Sequence, residues 1–143
     1  MKNSQILISG AIVFKEYRRK KLFLVVKQNE EGKWEIPKIT VRRGESSVRA
    51  SLRMLGELAG MNARVLEEAG RTTGVLTVNG KTIPQKTYYY LIIHKAGNEV
   101  LGFEDFEWLE YGKALNKLEL KREQVMLKSA NKVLKKWERE KKS

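Results

Sequence analysis

The sequence has 143 residues and contains no cysteine, only two prolines and a single histidine. The absence of cysteine excludes disulfide frameworks, thiolate zinc sites and cysteine nucleophiles. Long apolar runs are missing too, because stretches such as 22–26 and 88–93 fall far short of the roughly 20 residues that a membrane helix requires. Residues 1–10 lack the pattern of a cleavable signal peptide. These absences predict a cytoplasmic protein without a membrane partner.

Positive charge is what the sequence has in excess. Its 29 Lys and Arg residues against 17 Asp and Glu residues give a formal net charge of +12. This balance favours anionic partners such as nucleotides, nucleic acid or acidic lipid surfaces. Residues 120–143 hold nine Lys or Arg and three Glu, which is half of the excess. With 41% hydrophobic residues the composition is globular, and the length predicts one domain over 1–143.

The first third of the chain predicts a hairpin and a short extended segment. Two β-rich runs, 6–14 and 21–27, are joined by a polar stretch, which is typical of two antiparallel strands. The segment 34–37 should be extended, because Pro37 disfavours helix for the residue before it. A loop then leads to Gly44.

A helix is predicted over 45–59, where the apolar period changes. Val48, Leu52, Leu55 and Ala59 recur at the spacing of one helical face, and Gly60 ends the pattern. We expect this helix to pack against the sheet through Val48, Leu52 and Leu55.

The second half of the chain alternates between strand and helix patterns. Asn79-Gly80 predicts a tight hairpin turn, because both turn positions need positive φ. Predicted strands cover 63–66, 74–78, 86–94 and 106–109, and predicted helices cover 112–118 and about 121–140. The last helix has an apolar stripe formed by Met126, Ala130, Val133, Leu134 and Trp137. Strands, one helix, more strands and a closing helix predict an α+β or α/β sandwich.

Residues along this frame resemble those of a Nudix hydrolase. They are Gly10-Ala11-Ile12-Val13, Trp34-Glu35-Ile36-Pro37-Lys38, Gly44-Glu45, Ala50, Arg53, Glu57, Gly60 and Met61. The family box, G-x5-E-x7-R-E-U-x-E-E-x-G-U, lies on 39–61 without a gap and matches Glu45, Arg53, Leu55, Glu57, Gly60 and Met61. The resemblance implies an α+β fold of the α/β/α sandwich type, in which a mixed sheet carries the box helix and the C-terminal helix. Pro-Lys at 37–38 and the lysine-rich end are most similar to diadenosine polyphosphate hydrolases.

Three box positions depart from the family, with Ile39 for the first glycine and Met54 and Leu58 for two glutamates. In Nudix enzymes these glutamates hold the divalent metal that neutralises phosphate charge and activates water. The resemblance leaves Glu57 as a metal ligand and Glu45 as a second catalytic carboxylate if the protein is active, with Mg or Mn as cofactor, and otherwise no cofactor.

The family also commonly places a glutamate in the loop before the last strand. That position falls near Gly102, with Glu99, Glu104 and Asp105 as nearby substitutes. Met54 and Leu58 widen the apolar arc of the box helix, so that they pack against the protein's own loops or against a partner.

Basic and aromatic residues suggest how a ligand could still bind. The predicted phosphate-binding residues are Lys38, Arg42, Arg43, Arg49 and Arg53, because a cationic site can bind phosphate without metal and guanidinium groups bind phosphate bidentately. Solvated loop charges at 42–43 and a structural Arg53–Glu45 pair are the alternatives. Tyr88 and Tyr90 lie on one face of a predicted strand and could stack on a base, or simply pack. His94 is assigned no role.

These patterns together predict a Nudix-fold protein of the nucleoside or dinucleoside polyphosphate hydrolase type with a degenerate metal site. We expect it to bind a nucleotide or polyphosphate with weak or no hydrolysis. One alternative is an active Mg-dependent pyrophosphohydrolase that uses Glu57, Glu45 and a carboxylate among Glu99, Glu104 and Asp105. The other is an RNA or ribonucleoprotein binding module that uses the basic terminal helix and the arginines at 42–43.

Overall fold

The computed structural model describes residues 5–97, 100 and 102–142. Within these residues the chain forms six strands and three helices. They are β1 (Ile6–Tyr17), β2 (Lys20–Lys27), β3 (Lys38–Thr40), α1 (Ser47–Ala59), β4 (Asn62–Val78), β5 (Lys81–Ala96), β6 (Asp105–Glu110), α2 (Tyr111–Lys117) and α3 (Lys121–Lys142). Among the described helices, none combines the length and the apolar composition that crossing a membrane requires.

The strands form one mixed sheet in the order β4-β5-β1-β2-β6, with β3 paired to β1. β1 and β5 run parallel in the centre, and the other pairs are antiparallel. The β4–β5 turn has Asn79 and Gly80 at φ 52° and 76°, as the Asn-Gly dipeptide predicts. In the β1–β2 turn, Arg18 and Arg19 take the same left-handed conformation without a glycine, at φ 51° and 67°.

Alternation along the strands sends side chains to two cores. One core joins Ala11, Val13, Leu24 and Val26 of the sheet to Met54, Leu55 and Ala59 of α1. The other joins Ile12, Phe14, Phe23 and Val25 to Leu127, Ala130 and Leu134 of α3. Because α1 and α3 cover opposite faces, the fold is the α/β/α sandwich that the sequence predicted.

Two predicted strands, 63–66 and 74–78, are in fact one strand. β4 pairs with β5 from Asn62 to Val78, and three register shifts before Gly70 break the apolar alternation that marks a continuous strand. Its second half therefore looked like a separate element in the sequence.

The predicted packing face of α1 is wrong in part. Leu55 is fully buried as expected, but so is Met54, whereas Val48 and Leu52 are only partly buried. Leu52 contributes to neither core and lines an open cavity instead. The helix is therefore rotated about its own axis relative to the prediction. The side of the helix between the predicted stripe and Met54 faces the sheet, and Met54 itself is a core residue.

Candidate functional site

The start of α1 is held by a capped turn. The Ser46 side chain accepts a hydrogen bond of 3.1 Å from the backbone N–H of Arg49, which caps the helix. The backbone N–H of Arg42 donates to the Glu45 carboxylate at 3.0 Å. Gly60 ends the helix in the left-handed conformation at φ 53°. The box sequence thus builds a loop and a helix of fixed length.

Glu45 and Arg53 form a bidentate ion pair across this loop. The guanidinium donates from Nε to Oε2 at 2.8 Å and from Nη2 to Oε1 at 3.1 Å. Nη2 also donates to the backbone carbonyl of Thr40 at 3.2 Å. The Arg53 hydrogen bond, helped by the Arg42 amide, lowers the pKa of Glu45 to about 2. The Arg53 and Glu45 side chains therefore bind each other, as in the alternative in which Arg53 has a structural role and pairs with Glu45.

A cationic surface surrounds this pair. Arg42, Arg43 and Arg49 are all exposed, and none of the three forms an ion pair with a carboxylate in the part of the chain that the structure describes. Arg49 also lines an open cavity of about 540 Å³, together with Glu45, Leu52 and Arg53. We call Arg42, Arg43 and Arg49 the arginine rim.

Lys38, which was predicted to bind phosphate, lies apart from the arginine rim and is bonded to carboxylates. Its ammonium donates at 2.5 Å to Glu35 and at 2.5 Å to Glu123, and at 3.0 Å to the Ile36 carbonyl. Glu123 belongs to α3, so the Lys38 side chain lies on the sheet face opposite α1. With its donors used, this lysine has little capacity left for a ligand phosphate.

Glu123 is the centre of a buried polar network that sequence analysis missed. Its fully buried carboxylate accepts hydrogen bonds from the Ile36 N–H, the Lys38 ammonium and the Tyr89 hydroxyl, at 2.8, 2.5 and 2.8 Å. Burial and the Glu123 charge raise the pKa of Tyr89 well above its usual range. The available signal was that Glu123 extends the apolar stripe of α3 at the spacing of Leu127, Ala130 and Leu134.

The predicted base-stacking tyrosines lie on the α1 face, but neither offers a free ring. Tyr90 is buried in the core, and its hydroxyl is hydrogen-bonded to the Ser47 hydroxyl, so its ring is not open to a base in this structure. Tyr88 is half-buried, and the cations of Arg71 and Lys86 lie 4.6 and 5.9 Å from its ring centroid. His94 contacts the Gly97 carbonyl and the edge of Trp108.

The carboxylates do not assemble a metal site among the described residues. The Glu57 side chain is 56% exposed, and its nearest cation is Arg53 at 4.0 Å. Glu104 and Asp105 are exposed, and Asp105 accepts a hydrogen bond from the N–H of Phe106. No three His, Asp or Glu side chains within the described ranges are placed to hold a metal ion. Glu99 lies outside the described residues.

Gly102, before β6, contacts α1 at Leu58, one of the two positions where the family resemblance places a glutamate. The backbone N–H of Gly102 donates to the Leu58 carbonyl at 2.7 Å, and Leu58 packs against the α1-side core. Met54 is fully buried in the same core. Among the described box positions, Glu57 is the exposed carboxylate, so water and phosphate oxygens would have to supply most of the ligands of a magnesium ion bound there.

Comparisons with known proteins identify the fold. No protein-family model and no curated protein matches the sequence. Among solved structures, the chain is similar to a C. elegans Ap4A hydrolase in a binary complex, with 19% identity, TM-score 0.73, and coverage of 90% of this chain and 97% of that one.

Two further structures give the same result. The MutT protein from Bacillus halodurans has 17% identity and TM-score 0.70, covering 86% and 80% of the two chains. The NUDIX domain of Shewanella oneidensis NrtR, complexed with ADP ribose, has 18% identity and TM-score 0.66, covering 93% and 90%. Nearly the whole chain is superposed in each case, and we conclude that it has the Nudix hydrolase fold.

Proposed function

We propose that this Nudix-fold protein binds a nucleotide or polyphosphate at the arginine rim and hydrolyses it slowly or not at all. One observation supports the proposal: exposed arginines occur together with apolar residues at two positions where the family resemblance places metal-binding glutamates. Three arginines line the start of α1 without carboxylate partners among the described residues, while Met54 and Leu58 occupy two glutamate positions of the box.

Phosphate binding follows from the chemistry of the arginine rim. A guanidinium group presents paired N–H donors that match two phosphate oxygens, and it keeps its charge at any physiological pH. The open cavity beside Arg49 leaves room for a phosphate chain. Two similar structures are an Ap4A hydrolase in a binary complex and a NUDIX domain complexed with ADP ribose. They support a nucleotide as the ligand class.

Slow hydrolysis follows from the carboxylates. Generating hydroxide from water near neutral pH usually requires a metal ion, and arginine cannot act as a general base because it stays protonated. Glu57 by itself would hold a metal ion only weakly, and the Glu45 carboxylate is already bound to Arg53. The active-hydrolase alternative therefore depends on carboxylates that the described geometry does not bring to Glu57.

The direct test measures binding of diadenosine tetraphosphate by calorimetry in the presence of a metal chelator. Replacing Arg42 and Arg43 with alanine should weaken binding about tenfold or more, because each exposed ion pair contributes up to about 1 kcal/mol. The matched control replaces Arg18 and Arg19, an exposed arginine pair at the β1–β2 turn. That variant loses the same charge at the far end of β1 and should bind normally.

Three outcomes would overturn the proposal. Equal affinity in the wild-type protein and the Arg42/Arg43 variant would remove the arginine rim from binding, and an equal loss in both double variants would indicate unspecific charge attraction. Turnover above about 1 s⁻¹ with magnesium, the low end for ordinary enzymes, would establish the hydrolase alternative instead.

The exposed face of α3 favours RNA binding as a second candidate. Lys128, Lys132, Lys136 and Arg139 are exposed along it at spacings of three or four residues, which places neighbouring charges on one side of the helix. RNA affinity should then fall steeply with salt, because each neutralised phosphate releases counterions. Reversing Lys132 and Lys136 to glutamate should reduce that salt dependence, and an unchanged slope would exclude this surface.

A further inference from the structure

The outer edge of β4 is unpaired along the second half of the strand. β4 is the last strand in the sheet order, and within the described residues its only partner strand is β5. The described part of β1 pairs with β5 only from Gln85 onward. The hairpin formed by 75–84 therefore projects beyond the central strands.

The two halves of β4 differ in how their edge is protected. All three register shifts lie before Gly70, and α3 covers this half through the Ser129 hydroxyl bonded to the Ala69 carbonyl. From Arg71 to Val78 the pairing with β5 is regular, and residues 73–80 are all exposed. Bulges and coverage are the usual means of blocking strand addition at an edge. The regular half has neither and can accept another strand.

Aliphatic side chains mark the same half. Val75, Leu76 and Val78 are 65%, 41% and 43% exposed, which is unusual for large apolar residues within four positions. Alternation places Val75 on one face of the hairpin and Leu76 and Val78 on the other. A strand added to this edge would gain apolar contacts on both of its faces.

Charge decides the chemistry of the partner. The sequence has no Asp or Glu between Glu68 and Glu99. Lys81 lies on the hairpin and Lys86 just after it, whereas Arg71, at the start of the regular half of β4, is ion-paired with Glu68 at 2.8 Å. At the root of the hairpin, Arg122 of α3 joins Thr72, Gly74, Gln85 and Thr87 around a cavity of about 180 Å³. Gly74 has no side chain to close this cavity toward the edge, and no atom would contact a Cβ there. A carboxylate of the added strand can therefore reach the Arg122 side chain through this cavity.

We propose that the β4 edge from Arg71 to Val78 binds an extended, acidic and aliphatic segment of a partner protein by β-strand addition. Backbone hydrogen bonds supply the affinity in this mode of recognition, and alternate side chains supply the specificity. A second copy of the chain is disfavoured, because it would bring the same cations and a net charge of +12 to this edge.

The test uses a blocked nine-residue peptide of valine and threonine with glutamate at every third position. On its addition, amide exchange measured by NMR should slow at every second residue of 71–78, because alternate N–H groups of an edge strand point outward. The edge strand β6 should show no change. The same peptide with lysine in place of glutamate, or with alternate N-methylated amides, should bind at least tenfold more weakly.

A matched pair of variants locates the surface. Val75→Glu should reduce peptide affinity at least tenfold, whereas Tyr17→Glu, at an exposed residue at the far end of β1, should leave it unchanged. Circular dichroism and the cross-strand NMR contacts of the hairpin show whether each variant is folded. The proposed phosphate site lies at the start of α1 and not on the hairpin. Loss of nucleotide binding in the Arg42/Arg43 variant therefore neither supports nor contradicts peptide binding at β4.

Three results would overturn the proposal. The first is absence of amide protection at 71–78 with the acidic peptide. The second is a concentration-dependent dimer in sedimentation that Val75→Glu dissociates, which would make a second copy the occupant. The third is protection of the same amides by a 12-nucleotide single-stranded RNA but not by the peptide.

Discussion

The backbone N–H of Gly102 donates a hydrogen bond of 2.7 Å to the carbonyl of Leu58. A Cβ atom added at Gly102 would lie 2.6 Å from both the Cα and the Cβ of Leu58. Gly102 thus rests on the last turn of α1, and Leu58 and the neighbourhood of Gly102 are positions where the family resemblance placed metal-binding glutamates. A glutamate at position 102 would therefore not fit this close approach.

The Gly102 contact predicts opposite effects of two glycine substitutions. Gly102→Ala should destabilise the protein by about 1–3 kcal/mol, because backbone atoms of Leu58 would have to move. Gly56→Ala in α1 should stabilise it by about 0.5–1 kcal/mol, since no atom lies near its Cβ and alanine favours helix. Urea denaturation measures both. Equal effects would mean that the loop does not rest on the helix.

The rotation of α1 predicts which leucine matters for stability. Leu55→Ala should cost about 2–5 kcal/mol, because Leu55 is fully buried between the helix and the sheet. Leu52→Ala should cost less than about 1 kcal/mol, because Leu52 lines an open cavity outside both cores. Thermal unfolding of the two variants distinguishes them. A larger loss at Leu52 would restore the face predicted from the sequence.

The lowered pKa of Glu45 predicts an acid-dependent stability. Its pKa is about 2 in the folded protein against an ordinary value of 4.5, so its pairing with Arg53 stabilises the fold above pH 4.5. That contribution is lost as the pH falls from 4.5 to 2, because the carboxylate becomes protonated. The Tm of Glu45→Gln should therefore lie below that of the wild-type protein at pH 7, and the difference should shrink across this window.

Glu31→Gln, which changes an exposed glutamate in a turn, is the control for the acid experiment and should leave the Tm nearly unchanged at pH 7. A Tm difference between Glu45→Gln and the wild-type protein that stays constant from pH 7 to pH 2 would show that the Glu45 charge does not stabilise the fold.

The buried network around Glu123 predicts a graded series. Glu123→Ala should cost about 3–5 kcal/mol, because it removes a buried carboxylate that accepts from the Ile36 N–H and the Tyr89 hydroxyl and is one of the two carboxylate partners of Lys38. Tyr89→Phe should cost only about 0.5–1.5 kcal/mol, because it removes one hydrogen bond and leaves Lys38 paired. Chemical denaturation gives both values. If the two costs are equal, the Lys38–Glu123 ion pair does not dominate the network.

Local structure was largely predictable from the sequence. The box helix begins at Ser47 instead of 45 and ends at Ala59 as expected, because Ser46 and Gly60 are strong local capping signals. The Asn79-Gly80 turn and α3 were likewise predicted. These features depend on residues a few positions apart, so the period and the capping residues were sufficient to place them.

The candidate site was less predictable, because it depends on contacts between distant parts of the chain. Lys38 follows the family motif, yet its ammonium lies against Glu123, 85 positions away. Tyr90 and Tyr88 share a face in the sequence, but only packing against α1 shows that the Tyr90 ring is buried.

The amino-acid sequence alone indicated most of the strands, the helices and the two-faced sheet, and it has Met54 and Leu58 where the family resemblance places glutamates, because backbone propensity, apolar period and residue identity are local properties. Only the tertiary structure decided which face of α1 is buried, which cations are free, and that Gly102 rests on Leu58. These depend on the rotation of a helix and the path of a loop, and both are set by how whole elements pack on the sheet.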